Sequence, residues 1–106
     1  MYARIVNMKL KTDDGPQFTR TFENEVIPVL RKQKGFRDEI CFLAPERSEV
    51  TGISFWNDRE NAEEYQRATY PGVLKTLSKL VEGTPEVKTF EVSNSTFHKI
   101  AAGLAT

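Results

Sequence analysis

Apolar side chains occupy both alternating faces of residues 2–10: Val6, Met8 and Leu10 lie on one side, Ala3 and Ile5 on the other, followed by Asn7. A strand covered on both faces reads this way, whereas a half-exposed strand alternates cleanly. Asp13-Asp14-Gly15-Pro16 then offers an acidic cap and a proline in the first turn, which predicts a helix start. From there Phe18, Phe22, Val26, Val29 and Leu30 keep a helical stripe, and Arg20, Glu23, Glu25 and Arg31 are left to water. Pro28 breaks the backbone ladder and should bend this helix near its last turns. Gly35, after the basic run Arg31-Lys32-Gln33-Lys34, is the natural stop.

Residues 36–44 and 49–56 are two β-rich runs joined by Pro45-Glu46-Arg47-Ser48, a joint short enough to predict an antiparallel hairpin. Gly52 inside the second run predicts a bulge or a close backbone approach. Asn57 with Glu60 three residues later resembles a capping box, so a second helix should open at about 58. Ala62, Tyr65, Ala68 and Thr69 form its inner stripe. Tyr70-Pro71-Gly72 interrupts it, and Val73, Leu74, Leu77, Leu80 and Val81 resume helical spacing. The pattern predicts one helix broken near residues 69–72 and ended by Gly83-Thr84-Pro85. A last strand over residues 86–97 carries Val87, Phe90, Val92 and Phe97. Beyond it a tail, from about residue 98 to Thr106, has small residues and no period, and should be mobile or laid on a neighbour.

Strand–helix–strand–strand–helix–strand is the order of the ferredoxin-like βαββαβ α+β fold: one four-stranded antiparallel sheet with both helices on one face. That arrangement leaves the other face bare. Yet Ile40 and Phe42 oppose Cys41 and Leu43, just as Ala3 and Ile5 oppose Val6 and Met8. A bare apolar face of several hundred Å² is unusual in a monomer. A two-fold copy is the commonest cover, so a homodimer is expected.

Length and charge change this picture only by exclusion. The chain of 106 residues is the size of one domain, spanning 1–106 with no second module. Fifteen basic and fifteen acidic residues leave no net charge, which argues against nucleic acid as a partner. A lone cysteine, Cys41, cannot form an internal disulfide and fits a reducing compartment. MYARIVNMKL carries Arg4 and Asn7 in its apolar run and lacks the parts of a signal peptide. No apolar stretch approaches the ~20 residues that span a bilayer. The expectation is a cytoplasmic protein with no membrane partner.

Residues 25–36, EVIPVLRKQKGF, and 49–74, EVTGISFWNDRENAEEYQRATYPGVL, resemble the antibiotic biosynthesis monooxygenase family of dimeric α+β barrels. The likeness runs from residue 2 to about residue 97 and rests on structural residues, so it speaks to fold more than to function. The family includes cofactor-independent oxygenases of aromatic polyketides and quinols, haem-degrading enzymes, and members without a known activity. The haem-degrading branch uses an Asn on the first strand, with a Trp and an iron-ligating His on the second helix. Asn7 matches the first, but the Trp position falls on Tyr65 and the His position near Leu77 or Ser78. Without that imidazole the resemblance argues against haem degradation, and no cofactor is implied.

Four residues stand out as candidate substrate-binding groups: Asn7, Trp56, Tyr65 and Tyr70. Asn7 is an amide in an otherwise apolar strand; it could orient a substrate oxygen or simply bond a neighbouring element. Trp56 could stack on a flat aromatic or pack the barrel rim. Tyr65 and Tyr70 are one to two turns apart on or beside the second helix, with Tyr70 at the break, where a cleft between helix and sheet would open, and a phenol there could bond a substrate hydroxyl. His98 is the only side chain with an unperturbed pKa near neutrality, but its place near the C-terminus predicts a solvated ring. Cys41 reads as an inert core thiol. One His and one Cys fall short of a metal set, and no phosphate loop or nucleophile motif is present. No catalytic residue can be assigned. Two functions remain open: a cofactor-independent monooxygenase acting on a small phenolic or quinol substrate between sheet and helices, or a non-catalytic dimeric module that binds or senses a small molecule. An isomerase or decarboxylase would need a buried acid–base pair, which the sequence does not assemble.

Overall fold

A computed structural model describes residues 1–11, 14–44, 46 and 48–98. Its elements are β1 (Tyr2–Leu10), α1 (Gly15–Thr21), a π-helical segment (Phe22–Val26), α2 (Ile27–Arg31), β2 (Phe36–Ala44), β3 (Glu49–Trp56), α3 (Arg59–Ala68), α4 (Tyr70–Leu77) and β4 (Val81–Glu91). The strands form one antiparallel sheet in the order β2-β3-β1-β4. This is the ferredoxin-like α+β fold, and the first three strands have the bounds that alternation predicts. Val6, Met8, Leu10, Val50 and Trp56 project from one face of the sheet into a core with Phe18, Val26, Leu30, Ala62, Tyr65, Val73 and Leu77 from the helices.

Asp14 caps α1, its carboxylate accepting from the Gln17 backbone N–H at 3.0 Å, with Pro16 in the first turn. The bend expected from Pro28 takes the form of a widened turn. Proline lacks an N–H and its ring presses on the carbonyl four residues back. The chain avoids both problems by passing through the π-helical segment, where the Ile27 N–H bonds the Phe22 carbonyl five residues earlier. Such segments recur beside functional sites, and this one aims Phe22 at the space between helix and sheet. Gly35 stops the region at φ +80°, and a Cβ there would run into the Asn61 side chain.

The second helical region is broken where expected, at Thr69, with Pro71 in the first turn of α4. Its cap is Asp58, which accepts from the Asn61 N–H at 2.9 Å, one residue beyond the expected Asn57. Ala68, expected on the inner stripe, is exposed. The helix also ends earlier than its periodicity implies. Leu80 lies in a turn, and Val81 begins β4 by pairing with Leu10. The Gly83-Thr84-Pro85 punctuation is therefore an irregularity within the strand, between the Asn7–Glu86 and Lys9–Glu82 pairs, and not a boundary before it. At the other end β4 stops at Glu91, and Phe97 stands outside it, 68% exposed. The expected tail beyond residue 98 and the Pro45 and Arg47 of the hairpin turn lie outside the described residues. No helix among the described residues is long and apolar enough to cross a membrane.

Candidate functional site

Which side chains of β2 face the helices is decided by one extra residue. Phe36 pairs with Trp56, but the next pair is Asp38 with Phe55, so Arg37 is bulged out of register. A bulge re-aims the side chains that follow it. Glu39, Cys41 and Leu43 thereby pair with Ser54, Gly52 and Val50 and turn to the helix side. On β1 the same side carries Arg4, Val6 and Met8.

Two adjoining spaces lie between this face and the helices. The inner one has a free volume of about 30 Å³ and is walled by Arg4, Val6, Glu39, Ser54, Tyr65 and Tyr70 among others. The outer one, a groove of about 340 Å³, runs between β2 and the first helical region along Phe18, Phe22, Ile27, Cys41 and Leu43. Phe22 and Glu39 belong to both.

The inner space is polar at one end. Arg4 is only 3% exposed. Its guanidinium carbon sits 4.4 Å from the Tyr70 ring centre and 5.0 Å from that of Tyr65, a cation held against two aromatic faces. One terminal nitrogen donates to the Gln66 side-chain oxygen. Arg4 Nε, Glu39 Oε2 and the Tyr70 hydroxyl are buried without a hydrogen bond of ordinary geometry, although the guanidinium lies near enough to the Tyr70 hydroxyl to favour its ionised form. Glu39 Oε2 lies over Gly52, where a Cβ would come within 3.1 Å of it. That is the close backbone approach Gly52 predicts. Burial pushes the Glu39 carboxyl up to about 8, although the Arg4 charge and the Ile53 backbone N–H pull the other way. Burial also lowers the Arg4 pKa and raises those of Tyr65 and Tyr70, the Arg4 charge opposing the rise in both phenols. Desolvation therefore outweighs the mutual attraction of Arg4 and Glu39.

Of the four residues singled out in the sequence, Tyr65 and Tyr70 line the inner space, their ring centres 6.0 Å apart. Trp56 stands behind them. It is fully buried, 4.9 Å from the Tyr65 ring and edge-on to Phe36, and its indole N–H donates to Ser54 Oγ at 2.9 Å. Asn7 does not join the other three. It shares the helix-free face with Ala3 and Ile5, where its Oδ1 accepts from the Thr51 hydroxyl at 2.8 Å. Two other expectations need correction. His98 is not solvated: its side chain is 7% exposed, packs on Phe55 and Phe97, and places Nε2 3.1 Å from Asp38. Cys41 is not a core residue but is exposed in the outer groove. Desolvation and the Glu39 charge push its thiol up to about 12. Arg4 and Glu39 were not singled out as site residues, although Arg4 is in phase with Val6 and Met8.

No protein-family model matches the sequence, and neither does any curated protein. Solved structures do match. A protein of unknown function from Nitrosomonas europaea, NE2512, has 12% identity, coverage of 92% of this chain and 94% of that one, and a TM-score of 0.74. A candidate antibiotic biosynthesis monooxygenase from Bordetella bronchiseptica has 14% identity, coverage of 88% and 97%, and a TM-score of 0.72. The chain has the antibiotic biosynthesis monooxygenase fold. SnoaB, a cofactor-independent oxygenase from Streptomyces nogalater, shares this fold at 14% identity, covering 92% and 97% with a TM-score of 0.67. The backbone match thus agrees with the resemblance carried by residues 25–36 and 49–74.

Proposed function

We propose that the protein is a cofactor-independent monooxygenase that oxidises a small aromatic phenol or quinol bound between sheet and helices. The observation that carries this reading is the groove of about 340 Å³, apolar along Phe18, Phe22, Ile27 and Leu43, which ends on the buried polar group of Arg4, Glu39 and Tyr70. A largely apolar pocket with a few convergent polar groups suits a flat ring system carrying one or two hydroxyls. The inner space of about 30 Å³ has room for the hydroxyl end of such a ring. The ionised substrate is itself the reductant. One oxygen atom enters the ring, the other leaves as water, and the phenol becomes a quinone, so no flavin or metal is required. Protein groups contribute desolvation and charge placement. In this reading Tyr65 and Tyr70 contact substrate, Trp56 braces Tyr65 from behind, and Asn7 stands outside the site.

The test is incubation with 1-naphthol under isotopically labelled dioxygen. The expected product is 1,4-naphthoquinone carrying one labelled oxygen, and the Tyr70→Phe variant should form it more slowly. Ligand-dependent thermal stabilisation across a panel of naphthols and anthracenols without oxygen uptake would instead support a non-catalytic binding module.

The same reading includes a homodimer formed through the helix-free face. Ile5, Ile53 and Ile40 stand in one row across three strands of that face. On its outer strands Phe42 and Phe90 are 56% and 50% exposed in the single chain. A second copy would cover them without touching the site on the other side of the sheet. Sedimentation should give a dimer mass, and Ile53→Glu should reduce it to that of a monomer. A monomer mass for the unaltered protein at low micromolar concentration overturns the dimer.

A further inference from the structure

We propose that Glu39 is the general base of this site, its Oε2 taking the proton of the substrate hydroxyl while the Arg4 guanidinium holds the oxyanion that forms. The inference rests on the monooxygenase reading, because it names the residue that would generate the reactive anion.

Position comes first. Of the two residues that belong to both spaces, Phe22 is a hydrocarbon and Glu39 is titratable. A ring system lying in the groove with its hydroxyl directed inward must bring that hydroxyl to Glu39. Three buried atoms without a hydrogen bond of ordinary geometry then border one small space: an N–H donor on Arg4, a carboxyl oxygen on Glu39, and a hydroxyl on Tyr70. Buried polar atoms are nearly always paired, and exceptions ask for an explanation. A phenolic hydroxyl answers all three, donating its hydrogen to Oε2 and accepting from Arg4 Nε and the Tyr70 hydroxyl.

The local backbone is arranged for this atom. The bulge at Arg37 turns Glu39 inward, and the missing side chain at Gly52 leaves room for Oε2. The titratable and charged groups around the carboxyl are Arg4 on β1, Cys41 on β2, Tyr65 on α3 and Tyr70 on α4, with Glu23 and Arg31 across the groove. Among them only Arg4 is a cation inside the inner space, so it is the natural partner of a new anion. A carboxyl that holds its proton to about 8 is also a stronger base than an ordinary glutamate, closer to the phenol it must deprotonate.

The step balances without an added reagent. The substrate O–H bond breaks and its electron pair stays on the substrate oxygen. The proton moves to Oε2, converting carboxylate to carboxylic acid, and the phenolate takes the Arg4 N–H as a hydrogen bond. Dioxygen enters only afterwards, as the oxidant of the monooxygenase reading.

The experiment uses 1-naphthol without oxygen, at a pH about one unit below its own ionisation, where most of the free probe is neutral and a carboxyl titrating near 8 is at least half ionised. Naphtholate absorption reports the probe's protonation. Calorimetry in two buffers of different ionisation enthalpy counts protons released to solvent. The unaltered protein should show bound naphtholate with well under one proton released per site, because Glu39 keeps it. Glu39→Gln should bind neutral naphthol, or form naphtholate only by releasing a whole proton. In aerobic turnover that variant should lose roughly a hundred-fold or more in kcat, with KM within a few-fold and the rising limb of the pH profile gone. Naphthol bound neutral by the unaltered protein, or a full proton released on binding to it, overturns the base assignment and leaves the ligand class standing. Binding by neither protein overturns both. Melting of Glu39→Gln at or above the unaltered midpoint certifies that the variant folds.

Discussion

Trp56→Ala is expected to lower the unfolding midpoint by about 20 °C, the largest loss for any single truncation in this chain. Removing a buried Trp costs roughly 3–5 kcal/mol, and in a domain of this size each kcal/mol is worth about 4–8 °C. Trp56 is the largest fully buried side chain and joins three parts of the fold. It meets Phe36 at the start of β2, Tyr65 on α3, and Ser54 on its own strand through the indole N–H. Truncation opens a cavity under Tyr65 and strands the Ser54 hydroxyl, which is itself buried. Trp56→Phe separates the two losses. It keeps most of the ring contact, gives up one hydrogen bond, and should cost about 1–2 kcal/mol. Thermal and denaturant unfolding of both variants measure this. A Trp56→Ala midpoint within a few degrees of the unaltered protein would mean that the residue does not brace these elements together.

The backbone was far more legible in the sequence than the site. Alternation located β1, β2 and β3, because a strand's period of two is set by the chain itself and needs no knowledge of its neighbours. The doubly apolar strands also pointed to a face in need of cover, and the isoleucine row on that face is the physical content of the signal. Errors arose where a second period coincided with the first. Leu77, Leu80 and Val81 fit a helical stripe, but Leu10 on the adjacent strand claims Val81 as its partner, and tertiary pairing overrides local periodicity.

Site residues were hidden for two different reasons. Arg4 was readable: it shares the parity of Val6 and Met8, so a cation was facing the core from the start. Asn7 was equally readable in the other direction, having the parity of Ala3 and Ile5. Its candidacy drew on family likeness and on its being an amide in an apolar strand, while its parity placed it on the far face. Glu39 was not readable. Its direction depends on the bulge at Arg37, and no glycine or proline marks that position. Nor could the sequence show that two polar residues 35 positions apart, Arg4 and Glu39, border one small space. The cluster of Arg4, Glu39 and the two phenols, which spacing alone could not assemble, is therefore a product of sheet register.

Stability should fall as the pH rises from about 5 to about 9, and Glu39→Gln should remove most of that fall. In the unfolded chain the Glu39 carboxyl ionises near 4.5, whereas in the folded protein burial holds it protonated up to about 8. Between those values the folded state carries a proton that the unfolded state has lost, so raising the pH favours unfolding. The contribution is present in full below about 4.5 and is gone once the pH has passed through about 8. A tenfold difference in proton affinity between the two states corresponds to about 1.4 kcal/mol, which sets a ceiling of about 5 kcal/mol. Water reaching Glu39 from the open groove brings the expected loss to roughly 2–4 kcal/mol. Glutamine is neutral at every pH, so the variant should match the unaltered protein within about 1 kcal/mol at pH ~5 and exceed it by roughly 2–4 at pH ~9. Denaturant unfolding across that range is the measurement. An ion pair between Glu39 and Arg4 would reverse the sign: the carboxyl pKa would be depressed, stability would be lost on acidification, and Glu39→Gln would destabilise at high pH. A variant that is more stable and yet unable to take the substrate proton would show a carboxyl kept at the expense of folding, as expected of a group retained for chemistry.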